Sequence, residues 1–109
     1  MTDLMNELQR LTAELDESIK RLRHNGTNAA ETERTYKMLL RQECLKARDE
    51  GMAIGLIDKT CYGIPSVAEA RFNRDVAVAT YKANQEHINI TKLKLRIVES
   101  QINREWSNV

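Results

Sequence analysis

The chain has 109 residues, 41% of them hydrophobic and 30% charged, a size and balance that fit one folded domain and exclude a disordered chain. One proline and four glycines are too few to turn a chain through many short strands, which excludes an all-β fold. Seventeen basic against sixteen acidic residues leave a net charge of +1, too small to steer the whole molecule towards a polyanion.

In chain order, the first predicted helix covers 3–24. Leu4, Leu8, Leu11, Leu15 and Leu22 recur at alternating three- and four-residue steps, with Ser18 at the position between the last two and Ile19 beside it. Lys20, Arg21 and Arg23 suit the negative end of a helix dipole, and Asn25-Gly26 supplies a left-handed C-cap. A second helix is expected over 29–50, opened by Asn28 with Glu31 three residues on. Its apolar face carries Tyr36, Leu39 or Leu40, Cys44 and Ala47, and Gly51 is its natural stop.

Residues 51–65 hold three of the four glycines and the only proline, yet also Met52, Ile54, Leu56, Ile57, Tyr62 and Ile64. Connecting loops are normally polar, so this one either folds back over the helix ends or contacts a partner. After Pro65, the run Ser66-Val67-Ala68-Glu69 reads as a capping box opening a long helix over 67–106, roughly 40 residues and about 60 Å at 1.5 Å per residue. Val67, Ala70, Ala77, Tyr81, Ile88, Leu95, Val98 and Ile102 mark its seam, interrupted by Arg74, Asn84 and Thr91, and Ile90, Leu93 and Ile97 widen its apolar face.

The summed length of the first two helices matches the third. The expected fold is therefore all-α: a long antiparallel, coiled-coil-like helical hairpin with an interrupted first arm and residues 51–65 at its tip. The competing arrangement folds the first helix back into a compact three-helix bundle. A two-helix hairpin leaves apolar surface wet, so the hairpin is expected to assemble into a helical bundle, a twofold dimer being favoured. Leu8, Leu11, Leu15, Leu95, Val98, Ile102 and Trp106 are the candidates for self-association, and Met52, Ile54, Leu56, Ile57, Tyr62 and Ile64 for a protein partner.

Chemistry finds few residues to work with. His24 and His87 lie outside any motif beside a nucleophile, and the set His24, Cys44, Cys61 and His87 lacks zinc-ligand spacing. The glycines lack the lysine of a phosphate loop, and the pairs Asp16-Glu17 and Asp49-Glu50 diverge by about 100° on a helix. No catalytic residue, metal ligand or cofactor is expected. Lys92, Lys94, Arg96 and Arg104 form a modest basic cluster that could grip phosphates, but no aromatic side chain interleaves it to stack bases. The N-terminus is unlike a signal peptide and no stretch is apolar enough to span a bilayer, so no membrane partner and a cytoplasmic location are expected, with Cys44 and Cys61 as reduced thiols.

Tyr36 to Glu50, the opening Ser66-Val67-Ala68-Glu69-Ala70-Arg71, Tyr81, and Glu99 to Trp106 together resemble a class of small all-helical bacteriophage and prophage proteins from replication and recombination gene clusters. The likeness covers about two-thirds of the chain and its motifs are common to many helices; the apolar 51–65 segment departs from the class. The resemblance implies an accessory role inside the infected cell. The leading expectation is thus a non-enzymatic, oligomeric interaction protein. A nucleic-acid-binding replication or recombination factor and an inhibitor of a host or defence enzyme are the alternatives.

Overall fold

A computed structural model describes residues 2–108. Its elements are α1 (Thr2–Asp49), α2 (Ile54–Cys61) and α3 (Pro65–Ser107), and the fold is an all-α helical hairpin. The first arm is a single helix, contrary to the expected break at 25–28. The three-four seam explains this, because it continues in phase from Leu22 through Asn25 to Ala29, Thr32 and Tyr36, and a turn inserted at Gly26 would throw every later position off the partner helix. Glycine in a helix interior costs about 1 kcal/mol, which packing of this long face outweighs. Gly26 does not take a left-handed conformation; that conformation belongs to Gly51, with φ of 85°. The folded-back three-helix alternative needs a reversal at this point and is excluded by the unbroken helix.

The chain divides into two compact units, one made of residues 2–24 with 81–108 and the other of residues 25–80. In the first, α1 and α3 run antiparallel. His87 Nε2 lies 3.4 Å from Glu14 Oε1, and four residues further along α1 the Asn84 side chain, three residues back along α3, donates to the Ser18 carbonyl at 3.0 Å. The core here is thin: Leu11, Ser18, Ile88, Thr91 and Val98 are buried, flanked by half-buried Leu8, Leu15, Leu95 and Ile102. Thr91 is tolerated because its hydroxyl donates to the His87 carbonyl of its own helix at 2.8 Å.

In the second unit, Tyr36 of α1 packs with Val67 and Ala70 of α3, backed by Leu39, Leu40 and Ile64. Arg74 reaches across from α3, donating to Glu33 at 3.0 Å and to Asp75 at 2.8 Å while its guanidinium sits 4.7 Å from the Tyr36 ring centre. The Arg74 hydrogen bond holds the Glu33 carboxyl below the ordinary carboxylate range, with Lys37 adding to the effect.

The end of α1 is a Schellman motif. Gly51 N–H donates to the Arg48 carbonyl at 3.1 Å and Met52 N–H to the Ala47 carbonyl at 3.0 Å, satisfying carbonyls that the helix leaves open. Met52 packs against the cluster that contains Ala47, the apolar contact that usually accompanies this motif. The segment expected as a connector is therefore partly helical: α2 begins after extended Ala53. It ends with the Gly63 and Ile64 N–H groups donating to the Thr60 and Cys61 carbonyls. α3 begins at Pro65 rather than at a Ser66 cap. Proline at the first helical position lacks only an N–H that would find no partner there, and Ala68 N–H donates to the Ile64 carbonyl at 2.9 Å to open the ladder.

Candidate protein-docking site

α2 is eight residues long and amphipathic. Ile57 and Cys61, one turn apart, point inward and join Ala47 in a buried cluster with Leu40, Cys44, Met52 and Ile64 packed against it. Ile54, one turn before Ile57 on the same side of the helix, is nevertheless 80% exposed, and Leu56 and the C-cap Tyr62 are exposed as well. Arg71 of α3 lies over the Tyr62 ring at 5.8 Å from its centre, steadying its position at the surface.

Between the last turns of α1 and the start of α2 runs an open groove of about 360 Å³. Cys44, Leu45, Ile54 and Ile57 form its apolar floor and walls, and Arg41, Arg48 and Asp58 stand at its rim. Arg41, Leu45 and Arg48 follow one another at steps of four and three, so α1 presents them on one side, beside but distinct from the seam that faces α3. Two guanidinium groups against one carboxylate leave the rim positive around an apolar channel. Such a groove suits an apolar segment that carries carboxylates.

Six tip residues read from the sequence as partner contacts divide into two groups here. Ile57 is buried, and Met52 and Ile64 are half-buried against the tip cluster, so these three support the fold: the period of α2 turns Ile57 inward, and the hydrogen-bonded turns on either side of it seat Met52 and Ile64. Ile54, Leu56 and Tyr62 face outward. The sequence reading missed Arg41, Leu45, Arg48 and Asp58. Their signal was present as a second stripe on α1 beside Cys44, but only α2 folding over it makes that stripe a groove.

The self-association candidates are similarly redistributed. Leu11, 1% exposed, and Val98 are buried within the hairpin, and Leu8, Leu15, Leu95 and Ile102 are half-buried there; the seam already has its partner within the chain. Trp106 alone of that set is exposed, at 68%. On the outer face of α3 the same unit exposes Ile90, Leu93 and Ile97, spaced three and four apart on one side.

The four basic candidates for nucleic acid do not converge. Lys92, Lys94, Arg96 and Arg104 are all exposed, but Lys92 and Lys94 are about 200° apart around the helix. Lys94 acts on Glu7 of α1, whose carboxyl is held low chiefly by its hydrogen bond to Arg10. Ile90, Leu93 and Ile97 lie among these cations, where a phosphate-tracking surface would carry polar or stacking groups. Among the described residues, no cluster of three or more His, Cys, Asp or Glu side chains could hold a metal ion, and no helix is long and apolar enough to cross a membrane. Comparison with known protein families, with curated proteins and with solved structures finds no match to this chain.

Proposed function

We propose that this protein is a non-enzymatic helical interaction module that holds an apolar, acidic segment of another protein in the groove between α1 and α2. One observation carries the reading: the short helix at the tip leaves Ile54 exposed to water beside Leu45 in an apolar groove, with Arg41 and Arg48 along the rim. Large aliphatic groups exposed together near a groove are typical of recognition surfaces. Fixed positive charge beside them selects among apolar partners by attracting the carboxylated ones. The phage-protein resemblance supports an accessory role, with a protein of the infected cell as the partner.

Self-association belongs to the same proposal, with its contacts moved from the seam to the outer face of α3, where Ile90, Leu93 and Ile97 are exposed. Binding of nucleic acid through Lys92, Lys94, Arg96 and Arg104 is the less favoured alternative, because apolar side chains interrupt the cluster.

The groove is tested with Ile54→Asp. Ile54 is exposed on the first turn of α2, so the substitution is expected to leave the circular dichroism spectrum and melting temperature close to wild type. Partner capture from lysate is expected to fall at least tenfold, equivalent to about 1.4 kcal/mol of binding free energy. Capture unchanged by Ile54→Asp and by the double substitution Arg41→Glu with Arg48→Glu would remove the groove from the interface.

A further inference from the structure

From the geometry of the tip we infer that Cys44 and Cys61 form a peroxide-responsive thiol pair, in which Cys44 is oxidised first and Cys61 resolves it to a disulfide joining α1 to α2. The two cysteines are far apart in sequence, but α2 folds back so that Cys44 packs against the buried cluster containing Cys61. The two side chains therefore meet at one buried cluster although they lie seventeen positions apart in sequence. Both are free.

Their surroundings differ in the way a two-step oxidation requires. Cys44 is half-buried and lines the open groove, between Arg41 and Arg48 at its rim, so a small oxidant reaches it from solvent. Cys61 is 0% exposed, and burial pushes its thiol above the ordinary range, with the neighbouring Cys44 thiol adding to the effect. Cys61 is thereby shielded from direct attack by oxidant while sharing its cluster with the side chain that oxidant reaches.

The chemistry balances with hydrogen peroxide as the oxidant. The Cys44 thiolate attacks one peroxide oxygen; an S–O bond forms, the O–O bond breaks, and hydroxide leaves and takes up a proton. Cys44 sulfur is then a sulfenic acid. The Cys61 sulfur, giving up its proton, attacks the Cys44 sulfur; the S–S bond forms, the S–O bond breaks, and a second water leaves. Two thiols and one peroxide thus become one disulfide and two waters. The bond closes a loop over residues 44–61, which contains the Schellman turn at Gly51 and all of α2 up to Cys61. Oxidation therefore fastens α1 to α2 at the tip.

The test treats the full chain with one equivalent of hydrogen peroxide, then alkylates it in denaturant and measures intact mass and a peptide map. The expected product is a single chain lighter by two hydrogens, taking up no alkyl group, with the Cys44 and Cys61 peptides linked and released by dithiothreitol. In Cys61→Ser, dimedone is expected to trap a sulfenic acid on Cys44. In Cys44→Ser, Cys61 is expected to alkylate more than about tenfold more slowly in native buffer than in denaturant. The inference is overturned if both thiols still alkylate after peroxide, if Cys44 gains two oxygens while Cys61 stays free, or if the only disulfides formed link separate chains.

Discussion

Two glycines measure how the first helix is terminated. Gly51 has φ of 85° with no atom within 4 Å of where a Cβ would sit, so Gly51→Ala introduces backbone strain without a clash. The left-handed conformation costs a β-carbon about 1 kcal/mol, and Gly51→Ala is expected to lower unfolding free energy by roughly that amount in urea titrations. Gly26 is inside a helix and without positive φ. Gly26→Ala is expected to raise stability by roughly 0.5–1 kcal/mol, because alanine loses less backbone freedom than glycine on entering a helix. If both substitutions shifted stability in the same direction, the assignment of the helix end to Gly51 would be wrong. Local grammar points to Asn25-Gly26 as strongly as to Gly51. Only the seam running through Asn25 and Ala29 separates them, and two of its positions there are polar or small, which is why the interruption looked plausible in the sequence.

At the scale of the elements, α1 and α3 are joined in the second unit by a polar clasp made of Glu33, Arg74, Asp75 and the Tyr36 ring. Glu33 has its folded carboxyl below the ordinary value of 4.5 because Arg74 donates to it. A depressed carboxylate contributes stability above the unfolded value, and that contribution disappears as pH falls through the folded one. Thermal stability is therefore expected to fall as the solution is acidified below about pH 4.5, and Glu33→Gln should remove part of that dependence. Melting curves from pH 7 to pH 2.5 would show wild type and Glu33→Gln converging at the acidic end; parallel curves would mean the clasp contributes nothing. Arg74 reads in the sequence as a polar interruption of an apolar seam, because its partners across the hairpin, Glu33 and Tyr36, lie about forty residues earlier on α1. Likewise the period of 51–65 was hidden by its glycines: Ile57 and Cys61 are one turn apart, but the segment's flanking Gly51, Gly63 and Pro65 mark it as a loop. Those same residues serve as the stops that make an eight-residue helix possible.

At the scale of the whole molecule, the helical content and the pairing of the two long arms were legible, since a shortage of turn-formers and a three-four apolar rhythm leave few other folds. What was not legible is which apolar residues stay in water. Leu11 and Leu93 are chemically identical in the sequence, yet the first is buried in the hairpin and the second is left 54% exposed. Self-association through the outer face of α3 makes a definite prediction: light scattering during size exclusion should give a mass of two or more chains at micromolar concentration. Leu93→Glu with Ile97→Glu should return it to one chain with helicity retained. A wild-type chain that elutes as a monomer throughout would remove oligomerisation from the proposal.

The contact between Asn84 and position 18 has an evolutionary corollary. Its acceptor is a main-chain oxygen, which every amino acid supplies, so this contact between α1 and α3 is inscribed in a side chain at one end only. Descendants of this gene could exchange Ser18 for alanine and keep the grip, provided nothing bulky fills the space, whereas a side chain at 84 without a donor would lose it. Lineages should accordingly drift at one end of this contact and stand still at the other.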